Sequence, residues 1–483
     1  MTEVDEPHVD KATARIIQGP LGRGIAFLGM PLAIAMALQA TFNLVDMFII
    51  GKLPNGSQAL GALGICDLVA MVPTIIANGI SNASAAIIAR RAGEGDGRQV
   101  SRYTWQSLSM TGLLALVFGF IGIVFADPLT GGVFGAKGEV RVLATEYMQI
   151  IVGGGFTILL LLQICAIMRA LGDGKTPMYL LIGSNVANLF LSIIAVFGNG
   201  DYPAAFEWLA PVGKALDIPA MGVAGAAWST ILSRGIALVI GAIILAKNRG
   251  KLLRFYGKDL IPERRTFSRI MKIAWPNSAQ FVLRIGVVLF FMGIVTHNFT
   301  TETDATTLTG FSICMRLDTL VLFMSMGWGA AASTFVGQNL GAGLVARAKR
   351  AGWTASAFNF GTMLLALVLY LVYAPEIIGI FDSTPAVIEV GRHYLYIVGG
   401  TYAFLGVAVV LSQALSGAGA TLSSFAIDSV VLLGLLIPVT LLMLAFADLT
   451  RTETWAMIAA GNVLSCVAYA FWYQRGYWVD KQI

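Results

Sequence analysis

The chain has 483 residues, of which 57% are apolar by side chain, only 12% are charged and 54 are glycine, with a formal net charge of +5. Soluble domains carry about 25% charged residues, so a chain with half that share cannot hide its apolar surface in water, and its solvent is lipid. Disordered, collagenous and coiled-coil classes are excluded. The positive balance does not mark a nucleic-acid binder, because the basic residues fall in short loops between apolar runs.

In chain order, residues 1–23 mix Glu3, Asp5, Glu6 and Asp10 with Lys11, Arg15 and Arg23. No short apolar core there ends in a cleavage site, so a cytoplasmic segment is expected rather than a cleaved leader. Crossing the hydrocarbon takes about 20 apolar residues per helix. Twelve runs meet that length: 24–50, 59–89, 103–126, 142–168, 176–198, 219–246, 273–296, 308–337, 351–373, 393–415, 422–446 and 454–474. Ten-residue alternating segments of a barrel are absent, so the fold class is an all-α polytopic membrane protein. Residues 24–246 form one lobe, 247–272 a basic linker, 273–474 the second lobe and 475–483 a tail.

Arg90, Arg91, Arg98 and Arg102, then Arg169 and Lys175, then eight cations from Lys247 to Arg269, then Arg347, Lys349 and Arg350 occupy alternate loops. The positive-inside rule puts these loops and both termini in the cytoplasm. Cys66, Cys165, Cys314 and Cys466 lie in or beside apolar runs and read as buried thiols. His8, His297 and His393 have no metal-ligand spacing, so no metal or cofactor is expected.

The two halves echo one another. A shift of 248 carries Gly79, Gly93 and Gly95 onto Gly327, Gly341 and Gly343, and Cys66 onto Cys314. A shift of 245 carries Gly172 and Gly174 onto Gly417 and Gly419, and Pro31 onto Pro276. Six helices per copy is an even number, so the copies enter from the same side. The repeat is parallel, and the two six-helix lobes are related by a pseudo-two-fold axis along the membrane normal.

A charge at the bilayer centre costs about 2.5–3.5 kcal/mol on insertion scales, so each one needs a reason. On span 1, Gln39, Asn43 and Asp46 share one helix face, and span 5 offers Asn185, Asn188 and Ser192 at offsets of three and four. A carboxylate facing amides in a cleft suits reversible protonation. On span 7, Asn277, Gln280 and Arg284 form the corresponding stripe. Arg284 stays charged and needs a carboxylate, water or an anionic ligand, with Asp318 on span 8 or Asp428 on span 11 as the candidate buried partner. Arg234 on span 6 is expected to hydrogen-bond backbone. Tyr394 and Tyr402 on span 10 are candidates for a cavity wall taking flat cations by cation–π contact. Gly172-Asp-Gly-Lys175-Thr176 looks like the tail of a phosphate-binding loop, but position 169 is Arg where that motif needs Gly. With no nucleotide site, transport is expected to run on an ion gradient.

Pro31, the run Asn43-Leu-Val-Asp46-Met-Phe-Ile-Ile-Gly51, the glycine-bounded ends of spans 2 and 8, and Arg169-Ala-Leu-Gly-Asp-Gly-Lys-Thr-Pro177 together resemble the multidrug and toxic compound extrusion (MATE) transporters, at span 1 the DinF-like branch. The resemblance implies a V-shaped antiporter, usually monomeric, that exports amphipathic xenobiotics by alternating access on protons or sodium. It also implies that Asp46 is the ion-coupling acid, that Asn188 shares its site and that Pro31 bends span 1. Ser192 stands where many DinF-like members have a second aspartate, which disfavours sodium. Arg284 stands where the NorM-like branch has a glutamate. The expected function is proton-coupled export of organic compounds across a bacterial or archaeal cytoplasmic (inner) membrane. Its partners are small molecules and lipid, with no nucleic acid or nucleotide. Two alternatives stay open, export of an anionic metabolite through Arg284 and a lipid-linked precursor flippase.

Overall fold

A computed structural model describes residues 11–247, 257–301, 304–446 and 449–481. Twelve helices are long and apolar enough to cross a membrane: α1 Leu21–Gly51, α2 Gly56–Gly93, α3 Gly97–Val124, α4 Gly138–Ala170, α5 Lys175–Phe197, α6 Gly222–Lys247, α7 Arg264–Phe299, α8 Thr306–Gly341, α9 Val345–Val372, α10 Pro385–Gly417, α11 Thr421–Phe446 and α12 Arg451–Arg475. No strand occurs among the described residues. Apolar stripes such as Leu116, Phe120 and Ile123 on α3 and Leu365, Val368 and Val372 on α9 lie exposed, as lipid-facing surfaces do.

Some boundaries differ from the apolar runs. The helix α7 begins at Arg264, nine residues inside the expected linker, because its first turns are charged and extend past the apolar stretch. Residues 248–256 of that linker lie outside the described part. Residues 257–263 are docked on α3: Arg98 holds Asp259 at 2.5 Å, Arg102 pairs with Glu263, and Gln106 donates to the carbonyl oxygens of Asp259 and Ile261. Two spans are broken at equivalent places. In α4 the helix stops at Gly153 and resumes at Phe156, and in α10 a 3₁₀ turn, Gly399–Thr401, interrupts it. The shift of 245 carries Gly154 onto Gly399, and glycine's weak helix propensity allows the break in both copies.

Among the described residues, the apolar clusters that join the lobes lie toward one end. Ile25, Leu28, Leu32 and Ala33 of α1 pack with Trp328, Ala331 and Phe335 of α8. Ala35 of α1 and Ile80 and Ile87 of α2 pack with Ile270, Ile273 and Ala274 of α7. At the other end the apolar clusters each stay within one lobe, Ile49, Leu63 and Phe197 in the first and Phe291, Phe311 and Trp455 in the second. The repeated glycines build this junction. A Cβ on Gly93 would lie 2.0 Å from the Gln338 carbonyl oxygen, and one on Gly341 would lie 2.0 Å from the Arg90 carbonyl oxygen. The shift of 248 carries Gly93 onto Gly341 and Arg90 onto Gln338, so the two contacts are pseudo-symmetry mates. Only hydrogen at these positions lets α2 and α8 cross so closely. Gln338 and Thr334 of α8 also donate to the carbonyl oxygens of Ala170 and Arg169, at 2.8 and 3.1 Å.

The basic loops gather at this joined end. Arg347 donates to the carbonyl oxygens of Ile16 and Gly19, and Arg90 donates to that of Lys481, so both described chain ends lie there too. The Gly172-Asp-Gly turn is also here. Gly172 takes a φ of 87°, and Asp173 Oδ1 accepts from the backbone N–H groups of Lys175 and Thr176, capping the start of α5.

Candidate functional site

Each lobe carries its own polar group within the span. In the first lobe, Asp46 sits in the last third of α1, toward the separated end. Asn188 Nδ2 from α5 donates to both its carboxylate oxygens at 3.0 Å. The Thr230 hydroxyl of α6, shared with the Ala226 carbonyl oxygen at 3.1 Å, lies 3.2 Å from Asn188 Oδ1 and favours the amide orientation with NH2 toward the carboxylate. Arg234 of α6, one turn on from Thr230, and Asp67 of α2 act on Asp46 through their fields, without an ion pair inside 4.0 Å. Asp46 is therefore held by a neutral amide, with no guanidinium clamped on it.

The rest of the expected stripe is not drawn to Asp46. Asn185 and Ser192 are buried, and Asn185 Nδ2 and Ser192 Oγ have no hydrogen-bond partner among the described residues. Gln39 is half-buried and its side chain makes no hydrogen bond among the described residues. The Asn43 side chain lies outside them. Pro31 lies inside a continuous α1, where it removes one backbone N–H from the ladder. The Arg234 side chain, inside α6, makes no hydrogen bond to backbone among the described residues, contrary to the sequence expectation. Its guanidinium instead lies within electrostatic reach of Asp46 and Tyr147.

In the second lobe, the two candidate partners of Arg284 separate cleanly. Arg284 Nε pairs with Asp428 Oδ2 at 2.7 Å. Gln280 Nε2 donates to the same oxygen at 2.8 Å, and the Tyr469 hydroxyl donates to Oδ1 at 2.8 Å. The Asp428 side chain is 1% exposed, against 28% for Arg284. Directly after Asp428, α11 widens into a π-helical stretch, Ser429–Leu436, a distortion common at functional sites. Asp318 is not the partner of Arg284. Its oxygens accept from the hydroxyls of Tyr394 (2.6 Å) and Tyr402. This corrects the reading of the two tyrosines as a cation-binding wall. Both are fully buried, with Tyr394 packed edge-on against Phe311 and Trp455, so no ring face is free for a ligand.

A cavity of about 280 Å³ adjoins this group, bordered by Arg284, Asp318, Asp428 and an apolar wall that includes Val287, Phe291, Met315 and Leu432. Its volume is just below the usual small-molecule range. Sequence reasoning missed Thr230 and Tyr469. The signals were Thr230 and Arg234 four apart on one helix, and Asn462, Ser465 and Tyr469 on one face of another.

Twelve spans in two repeated lobes, joined at one end and carrying polar groups inside the membrane, define a carrier-type membrane transporter rather than a channel. The MatE family model matches residues 31–194 and 285–447, and the chain belongs to this family of multidrug efflux transporters. It is 27% identical over 463 residues to the probable multidrug resistance protein YpnP of Bacillus subtilis, covering 95% of this chain and 96% of that one. A FAD transporter of Shewanella oneidensis is 24% identical, covering 88% and 89%. Among solved structures, a MOP superfamily transporter from Pyrococcus furiosus superposes with a TM-score of 0.85 at 21% identity, covering 98% of this chain and 100% of that one.

Proposed function

We propose that the protein is a proton-coupled antiporter that exports amphipathic organic cations, with Asp46 as the coupling acid. One observation carries this reading. Of the carboxylates in the two polar groups, Asp428 is neutralised by Arg284 and buried, Asp318 is capped on both oxygens by tyrosine hydroxyls, and Asp67 is exposed, whereas Asp46 is held by one neutral amide. A carboxylate without an ion-pair partner exchanges a proton for a cationic substrate at little cost, and the two compete for it. Asn188, oriented by Thr230, positions the carboxylate. The cavity beside Arg284 is the proposed place for the apolar body of the substrate.

Basic residues favour the cytoplasmic side, so the joined end and both termini are assigned there, in a bacterial or archaeal cytoplasmic membrane. The lobes then part toward the outside, as in an outward-facing state of a carrier acting as a monomer. Protonation of Asp46 from the acidic outer side releases the substrate, and the proton leaves inward after the lobes rock over.

A second reading, export of an anionic metabolite, is supported by the cavity-facing part of Arg284 and by the Shewanella relative's name as a FAD transporter. The Asp428 pair weighs against it, because it already neutralises that cation. The flippase alternative has no comparable support in the twelve spans.

The test is ethidium accumulation in pump-deficient cells expressing the protein, with Asp46→Asn at matched expression. The proposal expects less accumulation with wild type and none of that protection with the variant. Equal protection by both overturns the role of Asp46. No protection by correctly inserted wild type removes the cation reading and moves weight to Arg284.

A further inference from the structure

A second cavity shares no lining residue with either polar group. It is a cleft of about 1070 Å³ at the joined end, between the lobes. The first lobe contributes Arg90 and Arg91 from the end of α2, and the second contributes Arg264, Arg265, Arg269 and Lys272 from the start of α7. The carboxylate in its wall is Glu94, which Arg90 and Arg91 already share at 3.7 and 2.5 Å. Arg269 donates to the Tyr103 hydroxyl. No ion pair among the described residues uses Arg264, Arg265 or Lys272.

This arrangement works against the helix it stands on. Arg264 and Arg265 stand in the first turn of α7, at the positive end of the helix dipole, with Arg269 and Lys272 following; the acidic N-cap residue, Glu263, is taken up by Arg102 and Thr266. A net excess of fixed positive charge lining one cleft favours an anion there. Loop charge for orientation alone does not require the cations of two lobes to converge on one cavity. On the same helix, Met271 and Trp275 are exposed beside Lys272, and Trp275 meets Phe425 of α11 edge-on at 5.8 Å. An apolar, aromatic flank next to a cationic cleft is the pattern of a headgroup site at the membrane interface.

We propose that this cleft binds a phosphate-bearing anion, supplied by an anionic phospholipid whose phosphodiester sits among Arg264, Arg265 and Lys272 and whose acyl chain runs along Met271 and Trp275. Because Arg90 and Arg91 belong to the other lobe, the bound lipid bridges the lobes and favours the conformation closed at this end. This is a role separate from transport chemistry at Asp46.

The test measures the thermal midpoint of the purified full-length protein in neutral detergent. The titrants are phosphatidylglycerol, phosphatidylcholine and inorganic phosphate. The variants are Arg264→Gln/Arg265→Gln/Lys272→Gln, with glutamine keeping the helix, and Arg141→Gln at the opposite end as the charge control. Phosphatidylglycerol is expected to raise the wild-type and R141Q midpoints and phosphatidylcholine to leave them unchanged. The triple variant should need about 100-fold more phosphatidylglycerol, from a contribution of about fivefold per interfacial cation. Its midpoint without lipid shows whether it folds. If it does not, Lys272→Gln alone, with about a fivefold weaker response, decides the matter. An equal rise with inorganic phosphate overturns the lipid as source and leaves a soluble phosphate ligand. An undiminished lipid response in the folded variants overturns the site.

Discussion

Removing Arg284 while keeping Asp428 is the sharpest test of how the second lobe is held. The Asp428 side chain is 1% exposed and takes Arg284 Nε at 2.7 Å, Gln280 Nε2 at 2.8 Å and the Tyr469 hydroxyl at 2.8 Å. Breaking a buried ion pair from one side costs about 3–5 kcal/mol, because a charge is left behind without compensation. Two neutral donors remain on Asp428 and Arg284 is 28% exposed, so Arg284→Gln is expected at the lower end, about 3 kcal/mol. In Arg284→Gln/Asp428→Asn the stranded charge is gone, and the double variant should recover about 2 kcal/mol relative to the sum of the singles. Denaturation of the four proteins in one detergent gives the cycle. An Arg284→Gln protein within about 0.5 kcal/mol of wild type that has lost transport refutes the structural pair and makes Arg284 a substrate contact.

Three further outcomes follow from the geometry. Gly341→Ala sets a methyl group 2.0 Å from a backbone carbonyl of the other lobe and should destabilise by about 1–3 kcal/mol, whereas Gly361→Ala, with nothing within 4 Å, should be neutral or slightly stabilising on the same thermal assay. Thr230→Val removes a hydroxyl that helps orient Asn188, a hydrogen bond worth about 1 kcal/mol, so the initial efflux rate should fall about fivefold with a stability loss of no more than about 1 kcal/mol, and return with Thr230→Ser. The Glu263 carboxyl is held below its usual range first by the Thr266 hydroxyl and then by Arg102. Its help in docking the linker is therefore full above about pH 4.3 and lost as pH falls through the lowered value. Hydrogen exchange at residues 257–263 should rise in that acid window, and at pH 7 only in Glu263→Gln.

The lipid-crossing elements were legible because twenty apolar residues in a row have few other uses, and the glycine echo marked the repeat, though not that its glycines are where two helices cross at hydrogen-only distance. Other features were hidden for physical reasons. The start of α7 carries charges that look like loop but stay helical beyond the bilayer. The breaks in α4 and α10 rest on glycines that are also common in unbroken spans. Asp46 and Asn188 stood out as polar stripes, yet Ser192 and Asn185 shared the same periodicity without reaching the carboxylate, since periodicity gives a face and not a distance. The choice between Asp318 and Asp428 for Arg284 depended on interhelical packing. So did the burial of Tyr394 and Tyr402, which periodicity alone left as candidates for an open cavity.

The most direct measurement of the central claim uses purified protein in proteoliposomes that hold a pH gradient reported by a quenched dye. Adding ethidium should collapse the gradient with wild type and leave it intact with Asp46→Asn, in sodium-free buffer. A collapse of equal rate in the variant, or transport that needs a sodium gradient and ignores the pH gradient, would contradict proton coupling at Asp46.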